Sequence, residues 1–208
     1  MFKITKDVRE GELEARVRAR LINCLSGVKN ATLVGTKSKE GLANVAVFSS
    51  VFHLGADPAL MGIVFRPVPG DTLKNILESK SFTLNHLSSS FSQSIHHTSA
   101  RFEESEFSEC GITEEYLDNF EAPFVKESLV KWSMNFLRMI DIPENGTHLM
   151  IAEVEDIYLS DKSLMREDGS LAIEEATCAV LGLDAYFQVS AGHRYSYAKP
   201  DKKPSRLK

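Results

Sequence analysis

The sequence predicts a mainly β protein, a mostly antiparallel β-barrel with added helices. Three observations carry this expectation. Short β-branched or alternating runs recur at residues 31–36, 44–54, 59–65, 82–87, 130–142, 149–159 and 183–189. The links between the first three runs are only a few residues long, whereas a parallel crossover needs a dozen or more. Helical patterning is confined to the start and middle of the chain, which fits a barrel with peripheral helices.

Taken in order, residues 7–26 read as an amphipathic helix, because Val8, Leu13, Val17, Leu21 and Leu25 recur mostly at spacings of four with charges between them. Residues 31–36 form a strand closed by the polar turn Lys37-Ser38-Lys39-Glu40-Gly41. Residues 44–54 are expected as one strand, and 59–65 as another, opened by Asp57-Pro58. Arg66-Pro67-Val68-Pro69-Gly70 breaks the sheet pattern. Asp71 is then positioned to cap a helix over 72–79, with Leu73, Ile76 and Leu77 on one face. After a strand at 82–87, residues 90–122 are polar and irregular and are expected as short helices. Trp132, Met134, Phe136, Ile140 and Ile142 alternate, interrupted only by Arg138, which makes 130–142 the clearest half-buried strand. The expected organisation is a single domain over 1–200 with an N-terminal helix and a helical excursion near 90–122. A basic, flexible tail follows at 201–208.

Composition narrows the function classes. Among 208 residues, Lys and Arg number 24 against 29 Asp and Glu, a net charge of −5. Nucleic-acid binding requires clustered positive charge, so no nucleic-acid partner is expected. No apolar run approaches the ~20 residues of a membrane span, and the N-terminus lacks the plan of a signal peptide. Cys24, Cys110 and Cys178 are odd in number and far apart, which fits reduced thiols in a cytoplasmic protein. Of the six histidines only His96 and His97 are adjacent, so no metal site is expected. The common catalytic signatures, including the dinucleotide, Walker A, zinc-protease and nucleophile-elbow motifs, do not occur.

What remains is a polar pattern in the first half. Thr36, Gly41, Asn44 and Ser49-Ser50 lie on or beside two consecutive strand regions. Arg66, Thr72 and Asn75 surround a loop and a helix start. Small hydroxyls, an arginine and a helix N-terminus suit a phosphate, because each donates hydrogen bonds and the guanidinium grips two oxygens at once. The same residues also have structural readings, as a helix cap, an exposed strand face or an ordinary surface charge.

The ordered set Thr36-x4-Gly41-x2-Asn44-x4-Ser49-Ser50, Asp57-Pro58, Arg66, Thr72-x2-Asn75-Ile76 and Phe82-x2-Asn85 resembles the flavin reductase-like family, whose members bind FMN in a split barrel. The resemblance continues through 94–102, 110–113, 122–125, 182–187 and 194–200. It implies an FMN-binding split barrel, a homodimer with FMN near the subunit interface, and NADH or NADPH as electron donor to a small-molecule oxidoreductase. It implies that Ser49, Ser50, Arg66, Thr72 and Asn75 hold the ribityl-phosphate, with Thr36 and Asn44 nearer the ring. His96 is a candidate for the flavin edge or a surface residue. Lys199 is a candidate cation for the reduced ring or the first residue of a solvated tail. The segment Arg66-Pro67-Val68-Pro69-Gly70-Asp71 departs from the family, in which many members have a shorter Arg-Lys-x-x-Thr. No residue is assigned as catalytic, because the flavin carries the chemistry. A fixed FMN serving another acceptor, and a non-catalytic FMN-binding or sensing module, are the alternative readings.

Overall fold

Seven strands form one sheet whose two edges are consecutive in the chain. The computed structural model describes residues 1, 3–4, 14–68, 70–182 and 184–207. Its strands are β1 (Lys29–Asn30), β2 (Thr32–Lys37), β3 (Ala43–Phe48), β4 (Val51–Ala56), β5 (Ala59–Phe65), β6 (Ser81–His86), β7 (Glu114–Glu115), β8 (Phe124–Val125), β9 (Val130–Ile142), β10 (Thr147–Leu159), β11 (Cys178–Leu181) and β12 (Ala185–Gln188). Its helices are α1 (Ala15–Leu25), α2 (Asp71–Ser79), α3 (Ser92–His97) and α4 (Glu106–Glu109). The main sheet runs β3-β2-β6-β9-β10-β5-β4, and every pairing in it is antiparallel.

Only Ser49 and Ser50 separate β3 from β4, yet five strands lie between them in the sheet. Three chain steps reach roughly 10 Å, so the sheet has to curl until its edges meet at that corner. The two edges are not paired with each other, which leaves a seam in the barrel. Val34, Ile63, Phe82, Leu84, Met134 and Met150 fill the interior, and α2 contributes Leu73 and Ile76 to the same cluster. Trp132 belongs to this core.

Both faces of β2 are buried. Val34 faces the barrel interior, and Leu33 faces a second cluster with Val45, Ile95, Phe107 and Val125. The excursion therefore covers the outer face of β2 and β3. Gly35 makes this approach possible: a Cβ there would lie 2.2 Å from the Pro123 carbonyl and 2.5 Å from Thr83 Oγ1. Thr83 Oγ1 donates to the Pro123 carbonyl at 2.6 Å, and the Val125 N–H donates to Asn85 Oδ1 at 2.9 Å. Lys131 is anchored beneath the same segment, with Nζ 2.6 Å from Glu115 Oε2 and 2.9 Å from the Val125 carbonyl.

The structure corrects several expectations. The run 44–54 is two strands on opposite edges rather than one, because the corner at Ser49-Ser50 closes the barrel. Gly70, not Asp71, occupies the N-cap of α2, and Asp71 is its first residue. Leu77 is exposed, whereas Leu73 and Ile76 are buried. Part of the excursion is extended, as β7 and β8, and β1 and β11 are strands that the sequence pattern did not single out. Helix α1 covers the described part of the expected first helix; residues 7–13, with Val8 and Leu13, lie outside the described residues. It has no buried residue, and Val17, Ile22 and Leu25 are exposed. The basic segment expected as a loose tail folds back on itself. Ser196 N–H donates to the Ser205 carbonyl at 2.9 Å, and Leu207 N–H donates to the Arg194 carbonyl at 2.9 Å. No helix among the described residues is long and apolar enough to cross a membrane.

Candidate functional site

The corner that closes the barrel brings together three of the polar residues of interest, Ser49, Ser50 and Arg66. Ser50 Oγ donates to the Val64 carbonyl at 2.8 Å, pinning the corner to β5. Arg66 follows the end of β5 directly and is therefore beside the corner. It is exposed and has no side-chain partner among the described residues. Ser49 and Ser50 are half-buried there. The loop leaving Arg66 is braced by the β9–β10 turn, since a Cβ at Gly146 would stand 3.4 Å from Pro67 Cγ. Five residues, 66–70, then lead to α2, a reach of up to ~17 Å.

Thr36, Asn44, Thr72 and Asn75 also come together, but toward the other end of β3 from the corner. All four are buried. The Thr36 and Thr72 hydroxyls both donate to Asn44 Oδ1, at 3.1 and 3.0 Å, and Asn75 Nδ2 donates to Thr36 Oγ1 at 3.1 Å. Facing β2 and β3 residues explain half of this, because Thr36 and Asn44 are directly opposed in the ladder. Helix periodicity explains the rest, because Thr72 and Asn75 are three residues apart on the face of α2 turned to the sheet. The cluster ties the helix to β2 and β3.

Its fifth member was not anticipated. Glu106 on α4 is buried, and its Oε2 accepts from Asn44 Nδ2 at 2.7 Å. The Val45 N–H also binds this carboxylate. Two positions along, the Val47 N–H donates to Thr98 Oγ1 at 3.0 Å. The unpaired edge of β3 is thus protected by side chains of the excursion rather than by another strand. Burial, assisted by Asp71, outweighs these hydrogen bonds and holds the Glu106 pKa above its ordinary value. Nothing local in Ser105-Glu106-Phe107 signals this role, which depends on a contact 62 positions away.

The remaining two candidates stand apart. His96 is exposed on α3, with its ring edge against Tyr186 and Nδ1 3.3 Å from the tyrosine hydroxyl. Its helix is joined to β3 through Thr98, two residues before Ser49. Lys199 is exposed in the C-terminal turn, paired in the backbone with Lys202. Tyr195 and Tyr197 are exposed too and do not pack on the barrel.

A second polar cluster lies at the far end of β6. His86 Nδ1 accepts from Asn30 Nδ2 at 3.0 Å, so the buried ring is held neutral, and burial lowers its pKa to about 4. Its ring meets Trp132 edge-on at 4.9 Å. Trp132 Nε1 is buried without a partner among the described residues.

The donors left free at the corner, the Ser49 hydroxyl and the Arg66 guanidinium with no carboxylate bonded to it among the described residues, fit a phosphate, while the Ser50 hydroxyl is taken by the Val64 carbonyl. Comparisons with known proteins point the same way. The family model described as flavin reductase like domain matches residues 28–172. A Shewanella frigidimarina NCIMB 400 protein, assigned as a flavin reductase with split barrel domain, has a crystal structure 41% identical to this chain. It superposes with a TM-score of 0.90 over 95% of this chain and 100% of its own. The 2-nitrobenzoate 2-nitroreductase of Pseudomonas fluorescens is 22% identical, with a TM-score of 0.80 over 98% and 99% of the two chains. Nitrilotriacetate monooxygenase component B from Bacillus cereus is 21% identical, with a TM-score of 0.79 over 92% and 97%. The last two likenesses concern the fold alone.

Proposed function

The chain belongs to the flavin reductase like domain family, and from that premise we propose that it binds FMN and acts as an NAD(P)H-dependent flavin reductase or a closely related oxidoreductase. The observation that carries this reading is the corner. The Ser49-Ser50 corner lies beside the end of β5, pinned by the Ser50 hydroxyl to the Val64 carbonyl, with the Ser49 hydroxyl and the solvent-exposed Arg66 guanidinium left to meet an anion. In this reading Arg66 and the Ser49 hydroxyl bind the phosphate, and Ser50 holds the corner in place. Thr72, Asn75, Thr36 and Asn44, toward the other end of β3, fix α2 against the barrel. Bound FMN would supply the redox chemistry, accepting hydride at N5 from NADH or NADPH. The protein's own part is to bind and orient, so no acid–base side chain is assigned.

The same reading includes a homodimer with FMN near the interface. Two features support it. Helix α1 buries no residue against its own chain, although it carries Val17, Ile22 and Leu25. Phe52 on edge strand β4 is exposed with its ring across Gly62, and Leu137 and Ile140 are exposed on β9. Apolar surface of this kind, repeated in two places, is characteristic of an interaction site.

The test is an absorbance spectrum of the purified protein reconstituted with FMN, followed by anaerobic titration with NADH and with NADPH. Bleaching of the flavin by either donor supports the proposal. A bound flavin that neither donor reduces points to another electron source or a binding module, and failure to bind FMN removes the reading.

A further inference from the structure

Three arginines from two separate parts of the chain line one cavity. Its volume is about 530 Å³, and its walls are Arg166 and Glu174 on one side and the folded-back C-terminal segment on the other. Arg166 stands at the head of a hairpin that Met165 and Leu171 close. Arg194 and Arg206 come from the two arms of the C-terminal hairpin, where Tyr195 bridges Arg206 and the Leu207 N–H donates to the Arg194 carbonyl at 2.9 Å. Glu174 is the one acid among the described lining residues.

Two of the guanidiniums are held in place, and the third is unanswered. Arg166 donates from Nη1 to the Leu171 carbonyl at 2.7 Å and from Nη2 to Glu174 Oε1 at 3.1 Å. Arg194 is paired with Asp168. The Ser170 hydroxyl and N–H, followed by Arg194, hold the Asp168 carboxyl down at about 2. These bonds fix both side chains while leaving other N–H donors of each guanidinium unused. Arg206 is exposed and has no side-chain partner among the described residues. Three cations thus meet two carboxylates, a local excess of positive charge in a chain whose net charge is −5.

Charge and shape together define the occupant. A guanidinium grips two oxygens at once. Three of them converging from different segments suit the three terminal oxygens of a tetrahedral phosphate better than the two of a planar carboxylate. The cavity is far larger than a bare ion needs and lies within the range of small-molecule sites. Ala191 and Leu207 supply apolar wall for an organic body. We propose that this cavity binds a phosphate monoester of a small organic molecule, with Arg206 as the main anion contact and Arg166 and Arg194 as donors set in advance. None of its lining residues belongs to the Ser49-Ser50 corner, so the site goes beyond the FMN reading.

The experiment titrates phenyl phosphate, with benzoate as the planar comparison, by calorimetry. It uses Arg66→Ala protein, in which the corner has lost its own arginine, alone and combined with Arg206→Ala or Arg206→Lys. Phenyl phosphate should bind Arg66→Ala with a Kd below about 1 mM. Adding Arg206→Ala should weaken it about tenfold, the size of one hydrogen bond to a charged group. Arg206→Lys, which keeps the charge without the fork, should fall between. Benzoate should bind Arg66→Ala more weakly than phenyl phosphate. FMN, followed by fluorescence, should bind the single variant Arg206→Ala as it binds wild type. The inference is overturned if phenyl phosphate does not bind Arg66→Ala, if either change at Arg206 leaves its affinity unaltered, or if benzoate binds equally well. Loss of FMN affinity in Arg206→Ala overturns the cavity as a site of its own. Failure of wild type to bind FMN overturns the cofactor reading alone, since the phenyl phosphate comparison contains no flavin.

Discussion

At the scale of single residues, the proposed reading makes Arg66 the side chain on which phosphate binding depends most. A hydrogen bond to a charged group is worth ~1.5–3 kcal/mol, so Arg66→Ala should weaken FMN binding by roughly tenfold to a hundredfold. Riboflavin, which lacks the phosphate, should bind both proteins alike, a comparison that fluorescence titration makes directly. Equal loss of both ligands would make Arg66 a structural residue. His86 gives a prediction of another kind. Its folded pKa of about 4 lies below its ordinary 6.5, so the unfolded chain binds the proton first on acidification. The stability it contributes is full above pH 6.5 and is lost as the pH falls to about 4, a difference on the order of 3 kcal/mol. Glu106 works in the opposite sense: with its pKa raised, its contribution is present at low pH and lost as the pH rises. Urea denaturation of wild type and His86→Gln across that range isolates the histidine, and the variant should show the shallower acid slope. Chain order alone made Thr36, Asn44, Thr72 and Asn75 legible as a group. That they bond one another rather than line open space was not, because it depends on facing positions across a ladder and on Glu106, far away in sequence.

At the scale of elements, the excursion and the barrel are fitted together at Gly35. Its missing Cβ leaves room for the Pro123 carbonyl, a backbone atom that has no cheap way to move aside. Gly35→Ala should therefore destabilise the fold by about 2 kcal/mol or more, read as a lower urea midpoint. An unchanged midpoint would mean that the 122–125 segment does not pack where it is placed. Strand β9 was legible because its apolar residues alternate in the sequence, although the expected half-buried strand is in fact buried on both faces over residues 130–134 and largely exposed over 137–142, Ile140 included. The break between β3 and β4 was not. Residues 45–48 and 51–52 are apolar on both sides of Ser49-Ser50, with no glycine or proline to mark a corner. What interrupts the run is the closure of the sheet, a property of seven strands and not of the segment. Asp71 was read as the helix cap by its residue type, yet extended backbone at Gly70 supplies that position. Strand β11 is four residues long, too short for alternation to stand out.

At the scale of the whole molecule, a barrel seam, an unburied helix and an exposed apolar edge belong together in one expectation, a dimer. Light scattering should return twice the chain mass of 23.2 kDa, and Phe52→Glu should shift the population toward monomer while leaving the far-ultraviolet circular dichroism unchanged. A stable monomer that holds FMN fully would contradict the shared-interface part of the proposal. The account as a whole rests on this chain holding FMN at the corner that closes its barrel. Fluorescence titration of FMN into the purified, flavin-free protein tests that claim most directly. Saturable binding at one FMN per chain, reversed when the protein is unfolded, is the result the account predicts. The absence of saturable binding would contradict it.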